Sequence, residues 1–329
     1  MLKTYPLGKT TIRVTPIGLG CWQFSRSRGV AGGYWAAIPQ ETVQEIVRVT
    51  LDHGINWFDT AEVYGNGASE ESLAAAIRAL GVEHDRYVLA DKWFPAFRFA
   101  GSIHKTFPDR LRALDGISID LHQIHQPFSF SRVEKQVARM GELVRQGRIR
   151  AVGVSNFNVD RMRRAHARLT LEGLPLATNQ MRYSLIDREI ERNGVLDAAK
   201  DLGISIIAYS PLAQGILTGK FHGAEQISSR RGPRKWLKRF KPDGLEATRP
   251  LIEELQRTAE EHGATAPQVA LAWVTQRHGE RVVAIPGASS VSQARSNAEA
   301  LSVTLSPDEL DRLGEVGWEA ERRLKGRDD

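Results

Sequence analysis

The chain has 329 residues, with 45 Lys and Arg against 39 Asp and Glu and a net charge of +6. Seven of the basic residues (Arg230, Arg231, Arg234, Lys235, Lys238, Arg239 and Lys241) fall in one segment, RRGPRKWLKRFK, so the remainder is close to neutral. This excludes the broad basic face of a nucleic-acid binder and leaves one local patch suited to an anion. The single cysteine, Cys21, rules out an internal disulfide. The N-terminal MLKTYPLGKTTIRV lacks the apolar core of a signal peptide and no uninterrupted span reaches membrane length, so the expected protein is soluble and cytoplasmic, with no membrane or nucleic-acid partner.

In chain order, TYPLGKTTIRVT reads as a hairpin that precedes a first strand and plugs a barrel bottom. Strands are expected at Ile17 to Gly20, Ile55 to Asp59, Tyr87 to Asp91, Leu121 to His125, Ala151 to Val154, Ala177 to Gln180, Ser205 to Tyr209 and Val282 to Pro286. Amphipathic segments lie between them. In ETVQEIVRVTLDHG, Val43, Ile46, Val47, Thr50 and Leu51 share one helix face. Gly54, Gly81 and Gly203 stand where helix C-cap glycines belong. Strand then helix, eight times over, predicts an α/β fold, a single-domain (β/α)8 TIM barrel over residues 1–329. One long irregular insertion, Leu212 to Gly244, follows strand seven, and a loop of that length inside a compact domain is usually functional.

The expected strand ends share a property. Strand two ends in Asp59, three runs into Lys92, four ends in His125, five runs into Ser155 and Asn156, six ends in Gln180 and seven in Tyr209. Any one alone reads as a solvated strand edge. Six in succession converge on one mouth, at the end of the barrel where such folds place their chemistry. His122 and His125, three apart on a strand, point to opposite faces, so one is structural and His125, nearer the strand end, is the functional candidate. No His, Cys and carboxylate cluster has metal-ligand spacing, so no metal site is expected, and Cys21 reads as a small buried residue.

The motifs GINWFDTAEVYG, LADKW, IHQP, VGVSNF, NQMRYS, AYSPLAQGILTGKF and IPGASSVSQARSNAEAL stand in the order and at the spacing of the aldo-keto reductases, which the chain resembles over nearly its whole length. It looks like a bacterial member similar to the potassium-channel β-subunit-like branch. By that match Asp59, Tyr64, Lys92 and His125 fall on the family's catalytic tetrad. The resemblance implies an NADPH-binding barrel, consistent with the absence of a GxGxxG after a strand. The chemistry agrees. Reducing a carbonyl needs an acid that stays protonated at neutral pH, and a phenol with a pKa of about 10 does. Lys92 would stabilise the phenolate and pull the Tyr64 pKa down, Asp59 would hold the ammonium, and His125 would orient the carbonyl.

The same match assigns Ser155, Asn156 and Gln180 to the nicotinamide carboxamide and Tyr209 to stacking on the ring. Ser210, Pro211, Leu212, Gln214, Gly215, Lys220 and Arg231 would surround the pyrophosphate, with Gly20, Trp22 and Gly287 completing the cradle. Trp236 and Phe240 within the basic run suggest a segment folded onto something. Ser289, Ser290, Gln293, Arg295 and Asn297 start the last barrel helix, where a phosphate is suited. Many relatives carry Lys or Arg where this chain has Ser289, and Arg295 would supply that charge. NADP is therefore the expected cofactor, with NAD as the alternative. Trp22, Phe24, Trp35, Trp93 and Phe128 are the expected substrate wall for a small carbonyl or alcohol: an aldehyde, ketone, sugar or polyol. Two other classes stay open, a Schiff-base lyase using Lys92 and a cofactor-binding regulatory subunit with little turnover. The sequence leaves the oligomeric state unassigned.

Overall fold

The computed structural model describes residues 3–29, 35–222 and 237–326. The hairpin is present as β1 (Tyr5–Pro6) antiparallel to β2 (Arg13–Val14). Eight parallel strands follow: β3 (Leu19–Gly20), β4 (Trp57–Asp59), β5 (Val88–Trp93), β6 (Ile119–Ile124), β7 (Ile149–Ser155), β8 (Leu176–Arg182), β9 (Ser205–Tyr209) and β10 (Val282–Ile285). They pair in chain order, and the ring is drawn together where Ala284 N donates to Pro16 O at 2.8 Å, Gly18 N to Ala284 O at 2.8 Å and Gly20 N to Pro286 O at 3.0 Å. All eight expected strands are present, and the architecture is the (β/α)8 barrel.

The helices of the described residues are α1 (Gln40–Asp52), α2 (Ala68–Leu80), α3 (Ser102–Ala113), α4 (Val133–Arg145), α5 (Val159–Thr170), α6 (Val195–Leu202), α7 (Pro242–Glu261), α8 (Ala266–Gln276), α9 (Val291–Glu299) and α10 (Pro307–Lys325). In α1 the buried side chains are Val43, Ile46, Val47, Val49 and Thr50, close to the stripe the spacing predicts. The chain leaves α2 and α6 through Gly81 and Gly203 in left-handed backbone, φ +60° and +71°, where a β-carbon would be strained. A reciprocal capping box of Ser306 and Glu309 starts α10. No helix among the described residues is long and apolar enough to cross a membrane.

Strand alternation divides the barrel's side chains between two environments. Toward the helix layer point Leu89, Trp93 and Ile124, all buried. Into the barrel point Trp57, Val88, Ala90, Leu121, Ala151, Ala177, Ile207 and Val283, packed against Tyr5, Leu7, Ile12 and Val14 of the hairpin. The hairpin thus stoppers the lower end, and Gly8 N donates to Ser205 Oγ at 2.8 Å across the plug. Above this apolar layer the interior turns polar, with Asp59, Lys92, Gln123 and Gln180 all buried.

The insertion after β9 differs from its expected extent. Residues Ala213–Thr218 and Lys238–Phe240 form 3-10 turns and α7 begins at Pro242, so its last residues are the start of a helix with proline in its first turn. Residues 223–236, including Arg231 and Trp236, lie outside the described residues. Phe240 is fully buried and meets Phe221 edge to face at 5.3 Å.

Packing at the barrel wall is tight enough to test. A β-carbon on Gly18 would fall within the indole of the fully buried Trp57, which is pinned by its Nε1 bond to Thr15 O at 2.9 Å. Gly18→Ala is expected to lower unfolding stability by about 1–3 kcal/mol, the usual cost of overpacking. A urea midpoint equal to wild type would show that the ring moves aside freely.

Candidate active site

The polar ends of the strands converge on a cavity of about 1780 Å³ at the C-terminal mouth of the barrel. It exceeds the roughly 300–1,000 Å³ of ordinary small-ligand pockets, so it has room for a dinucleotide and a second small molecule.

Backbone hydrogen bonds carry the barrel's register past the strand ends and fix the loops. Thr60 N donates to Ala90 O at 2.9 Å, His125 N to Trp93 O at 2.9 Å and Asn156 N to Gln180 O at 2.9 Å. Tyr64 sits on the tight turn after β4, followed by Gly65, Asn66 and Gly67 at φ +70°, +54° and +94°. At Gly65 a β-carbon would collide with the carbonyl of Ser25, so the turn that presents the phenol depends on glycine there.

At the floor, Lys92 Nζ pairs with Asp59 Oδ1 and donates to Thr60 O at 2.7 Å; both side chains are buried. The other Asp59 oxygen accepts from Gln180 Nε2 at 2.9 Å and Gln123 Nε2 at 3.1 Å. Lys92 Nζ reaches Tyr64 OH at 3.5 Å. The His125 ring meets the Tyr64 ring edge to face at 5.5 Å and the Phe94 ring at 5.9 Å. Asp59, Tyr64, Lys92 and His125 therefore come together in one cluster.

Burial governs its protonation. Burial raises the Tyr64 phenol above its ordinary value even though the nearby Lys92 charge pulls the other way, so the expected net depression by Lys92 is corrected: desolvation wins. For Lys92, burial disfavours the ammonium, but Asp59 and the other neighbours outweigh it and hold the amine charged. Burial, with Lys92 second, pushes His125 well below the ordinary imidazole value, so at neutral pH the ring is neutral and keeps an N–H to donate.

The remaining wall is polar on one side and aromatic on the other. Asn156, at φ +59°, accepts from Tyr209 OH at 3.0 Å through Oδ1 and donates to Ser155 Oγ at 3.0 Å. The backbone then runs through Ser210, Ala213, Gln214 and Gly215 at φ +53°, +47°, +60° and +101°, a turn geometry that forms anion-binding concavities. Pro211, Leu212 and Lys220 line the same stretch. Gly20 lies against the Ile285 carbonyl, where a β-carbon would sit 2.8 Å away, and Gly287 lies against Gln23. At the far end Ser289 N donates to Gln293 Oε1 at 2.8 Å and Asn297 Nδ2 to Gly287 O at 3.3 Å, while Ser290 caps α9. Trp22 stacks on Tyr64 at 6.0 Å and meets Trp35 edge to face at 5.7 Å.

Several expectations are corrected. Trp93 is buried in the helix layer with Nε1 donating to Ser102 Oγ at 3.2 Å, because the residue after an inward Lys92 must point outward. Phe24, two residues from Trp22 on the 3-10 turn Trp22–Phe24, turns into the core. Phe128 stands on the rim, 57% exposed, and Arg295 is exposed on α9; neither lines the cavity. Arg231 falls outside the described residues. Gln180 spends its amide on Asp59. His122 turns outward as alternation requires, against Phe107 and Asp91. Sequence reading missed Gln123, although it stands two residues before His125 and so on the same strand face, and it missed Gln23, Glu62, Phe94 and Gln126 among the lining.

The sequence profile of the Aldo/keto reductase family matches residues 16–317. An uncharacterized oxidoreductase of Mycobacterium tuberculosis is 38% identical over 302 residues, covering 92% of this chain and 88% of that protein. Among solved structures, an aldo-keto reductase of Klebsiella pneumoniae in complex with NADPH is 28% identical at a TM-score of 0.72, covering 96% and 95% of the two chains. The glycerol dehydrogenase of Gluconobacter oxydans is 27% identical at a TM-score of 0.80, covering 95% and 94%.

Because burial and Lys92 both disfavour the imidazolium, the His125 ring should remain neutral as pH falls through 6.5. A ¹H–¹⁵N titration of the ring nitrogens reads this directly. A midpoint at or above 6.5 would contradict the assignment.

Proposed function

Because the chain belongs to the aldo/keto reductase family, we propose that it is an NADP-dependent oxidoreductase acting between a small carbonyl and its alcohol, with Tyr64 as general acid and base. The observation that carries this reading is the buried Lys92–Asp59 pair beneath the Tyr64 hydroxyl, with a neutral His125 beside the same phenol. The nicotinamide cofactor supplies the hydride. The chain supplies the proton. Tyr64, held protonated by burial, donates from OH to the nascent alkoxide, and the phenolate left behind is stabilised by the Lys92 ammonium. Asp59, itself braced by Gln123 and Gln180, keeps that ammonium charged and in place. His125 donates an N–H to the carbonyl oxygen and orients it.

The cavity fits the cofactor on its own chemistry. Gly20 and Gly287 border it, each packed too closely against a neighbour, the Ile285 carbonyl and the Gln23 side chain, to accept a β-carbon. In this reading Ser155 and Asn156 face the carboxamide with Gln180 below them, Tyr209 stacks on the ring, and Ser210, Pro211, Leu212, Gln214, Gly215 and Lys220 take the pyrophosphate. Ser289, Gln293 and Asn297 take the adenosine end, and the NADPH complex of the Klebsiella relative supports NADP as the ligand. Trp22, Trp35 and Phe94 form the substrate wall. The relative named a glycerol dehydrogenase keeps polyol oxidation within the class. The Schiff-base reading loses ground, since it needs a free amine and Lys92 is held as an ammonium.

A panel of aldehydes, ketones, aldoses and polyols run with NADPH and NADH in parallel tests the proposal. Tyr64→Phe should lose on the order of 10²–10⁴ in turnover while still binding NADPH. Undiminished turnover in that variant removes Tyr64 from the mechanism, and cofactor binding by wild type without turnover of any carbonyl favours a regulatory subunit.

Lys92→Met separates charge from packing. Lys92 is the main group opposing the rise of the Tyr64 pKa, so its removal should shift the alkaline limb of the reduction pH profile, where the phenol is lost as general acid, to higher pH as activity falls. A limb that stays in place would make Lys92 a packing residue only.

A further inference from the structure

On the side of the mouth away from the cofactor wall stands a group of charges that the proton chemistry does not use. Glu62, two residues before Tyr64, accepts from Phe94 N at 2.5 Å and from Arg98 Nη1 at 2.6 Å through Oε1. Its second oxygen lies 3.8 Å from Arg110 Nη1, which bonds Glu70 Oε2 at 2.8 Å. Glu62, Arg98 and Arg110 all line the cavity, and Phe94, to which Glu62 is bonded, is the residue whose ring meets His125. Two guanidiniums therefore face the cavity across one carboxylate.

Neither cation is fully used. Arg98 makes a single side-chain hydrogen bond among the described residues, through Nη1, which leaves the donors of Nη2 and Nε, and its side chain is 37% exposed. Arg110 Nε is buried without a partner. Glu70 does not cancel the excess: burial, and next the neighbouring Asp91, push its carboxyl up to about 10, so it favours the neutral form. Around Arg98 stand Phe97, Phe99, Phe128 and Phe130, four of the exposed large apolar side chains on two loops joined where Phe130 N donates to Arg98 O at 3.0 Å. Phe97 is held in left-handed backbone at φ +59°. Apolar rims of this kind exclude water from a charge pair formed inside them.

We propose that the substrate is an acidic carbonyl compound, an aldehyde or ketone whose carboxylate docks on Arg98, with Arg110 adding charge behind it, while the carbonyl reaches Tyr64 and His125. This rests on the reductase reading and adds the group that distinguishes one carbonyl from another. Arg98 acts on binding and Glu62 aims it, because the bond from Nη1 to Glu62 turns the remaining donors of the planar fork away from the carboxylate.

The test compares 4-carboxybenzaldehyde with its neutral, equally sized analogue 4-formylbenzamide, using the full chain and NADPH. Wild type should favour the charged substrate in kcat/KM by tenfold or more. Arg98→Met should cut that ratio by about ten- to a hundredfold, the usual weight of a hydrogen bond to a charged group, and added salt should narrow it. Arg98→Lys keeps the charge without the fork and should fall between. A wild-type ratio at or below one, or an unchanged ratio in Arg98→Met, overturns the proposal. An equal loss for both aldehydes does so too, since it would make Arg98 a brace for Glu62 alone. Calorimetry of terephthalamate, with one carboxylate, against the neutral terephthalamide on the NADP-loaded protein reads the anion site without turnover. Equal binding of the two sinks the anion site, whereas selective terephthalamate binding with no reduction of either aldehyde sinks only the reductase reading.

Discussion

The active end of this barrel depends on one buried ion pair, Lys92 with Asp59. Taking two such charges out of water costs several kcal/mol per ion, and their attraction offsets this only when the remaining donors and acceptors are also satisfied. Here they are: Thr60 O takes a second lysine proton, and Gln123 and Gln180 cover the second carboxylate oxygen. Four strands, β4, β5, β6 and β8, each contribute one member. The pair is thus a statement about the closed barrel as much as about any two residues.

Burial acts first on the protonation of its neighbours and the charge of the pair second. Desolvation keeps His125 neutral, and an ammonium that cannot leave adds to that by disfavouring a second cation; at the buried phenol the same charge opposes the desolvation that raises its pKa. Behind the same strand, the outward Asp91 meets His122 at 3.5 Å; burial raises the carboxyl to about 7 and lowers the imidazole to about 3. The strand β5 therefore carries the Lys92 ammonium inward and, at the adjacent position, the Asp91 carboxyl outward against His122 of β6.

The legible part of the sequence was whatever repeats with strand and helix period. Eight apolar runs separated by helix-length stripes gave all the barrel strands, and their polar last residues gave the floor of the site. What escaped was decided by direction and by distance along the chain. The sequence places Trp93 on the wall beside an inward Lys92, whereas alternation sends one of any adjacent strand pair outward. Gln123 obeyed the same rule from the other side and was overlooked because it precedes the strand end. Glu62 and Arg110 are 48 positions apart by their numbering and meet only because the loop after β4 and the helix α3 border the same edge of the mouth. Arg295 is exposed on α9 and is absent from the cavity lining, although Gln293, Ser296 and Asn297 of the same helix belong to it.

The hairpin plug has a bearing on how the chain reaches this state. Its bonds to the barrel join Gly8 to Ser205 and Ser205 to Pro6, contacts 197 and 199 residues apart, and Pro16 waits for Ala284. During synthesis the N-terminal segments emerge first, so Leu7, Ile12 and Val14 lack their apolar partners on β8 to β10 until most of the chain exists. A stopper made from a segment ahead of all eight barrel strands ties completion of the barrel to its last strands. Closure over such long sequence separations is of the kind that slows folding, because the apolar face of the hairpin waits for partners made far later in the chain.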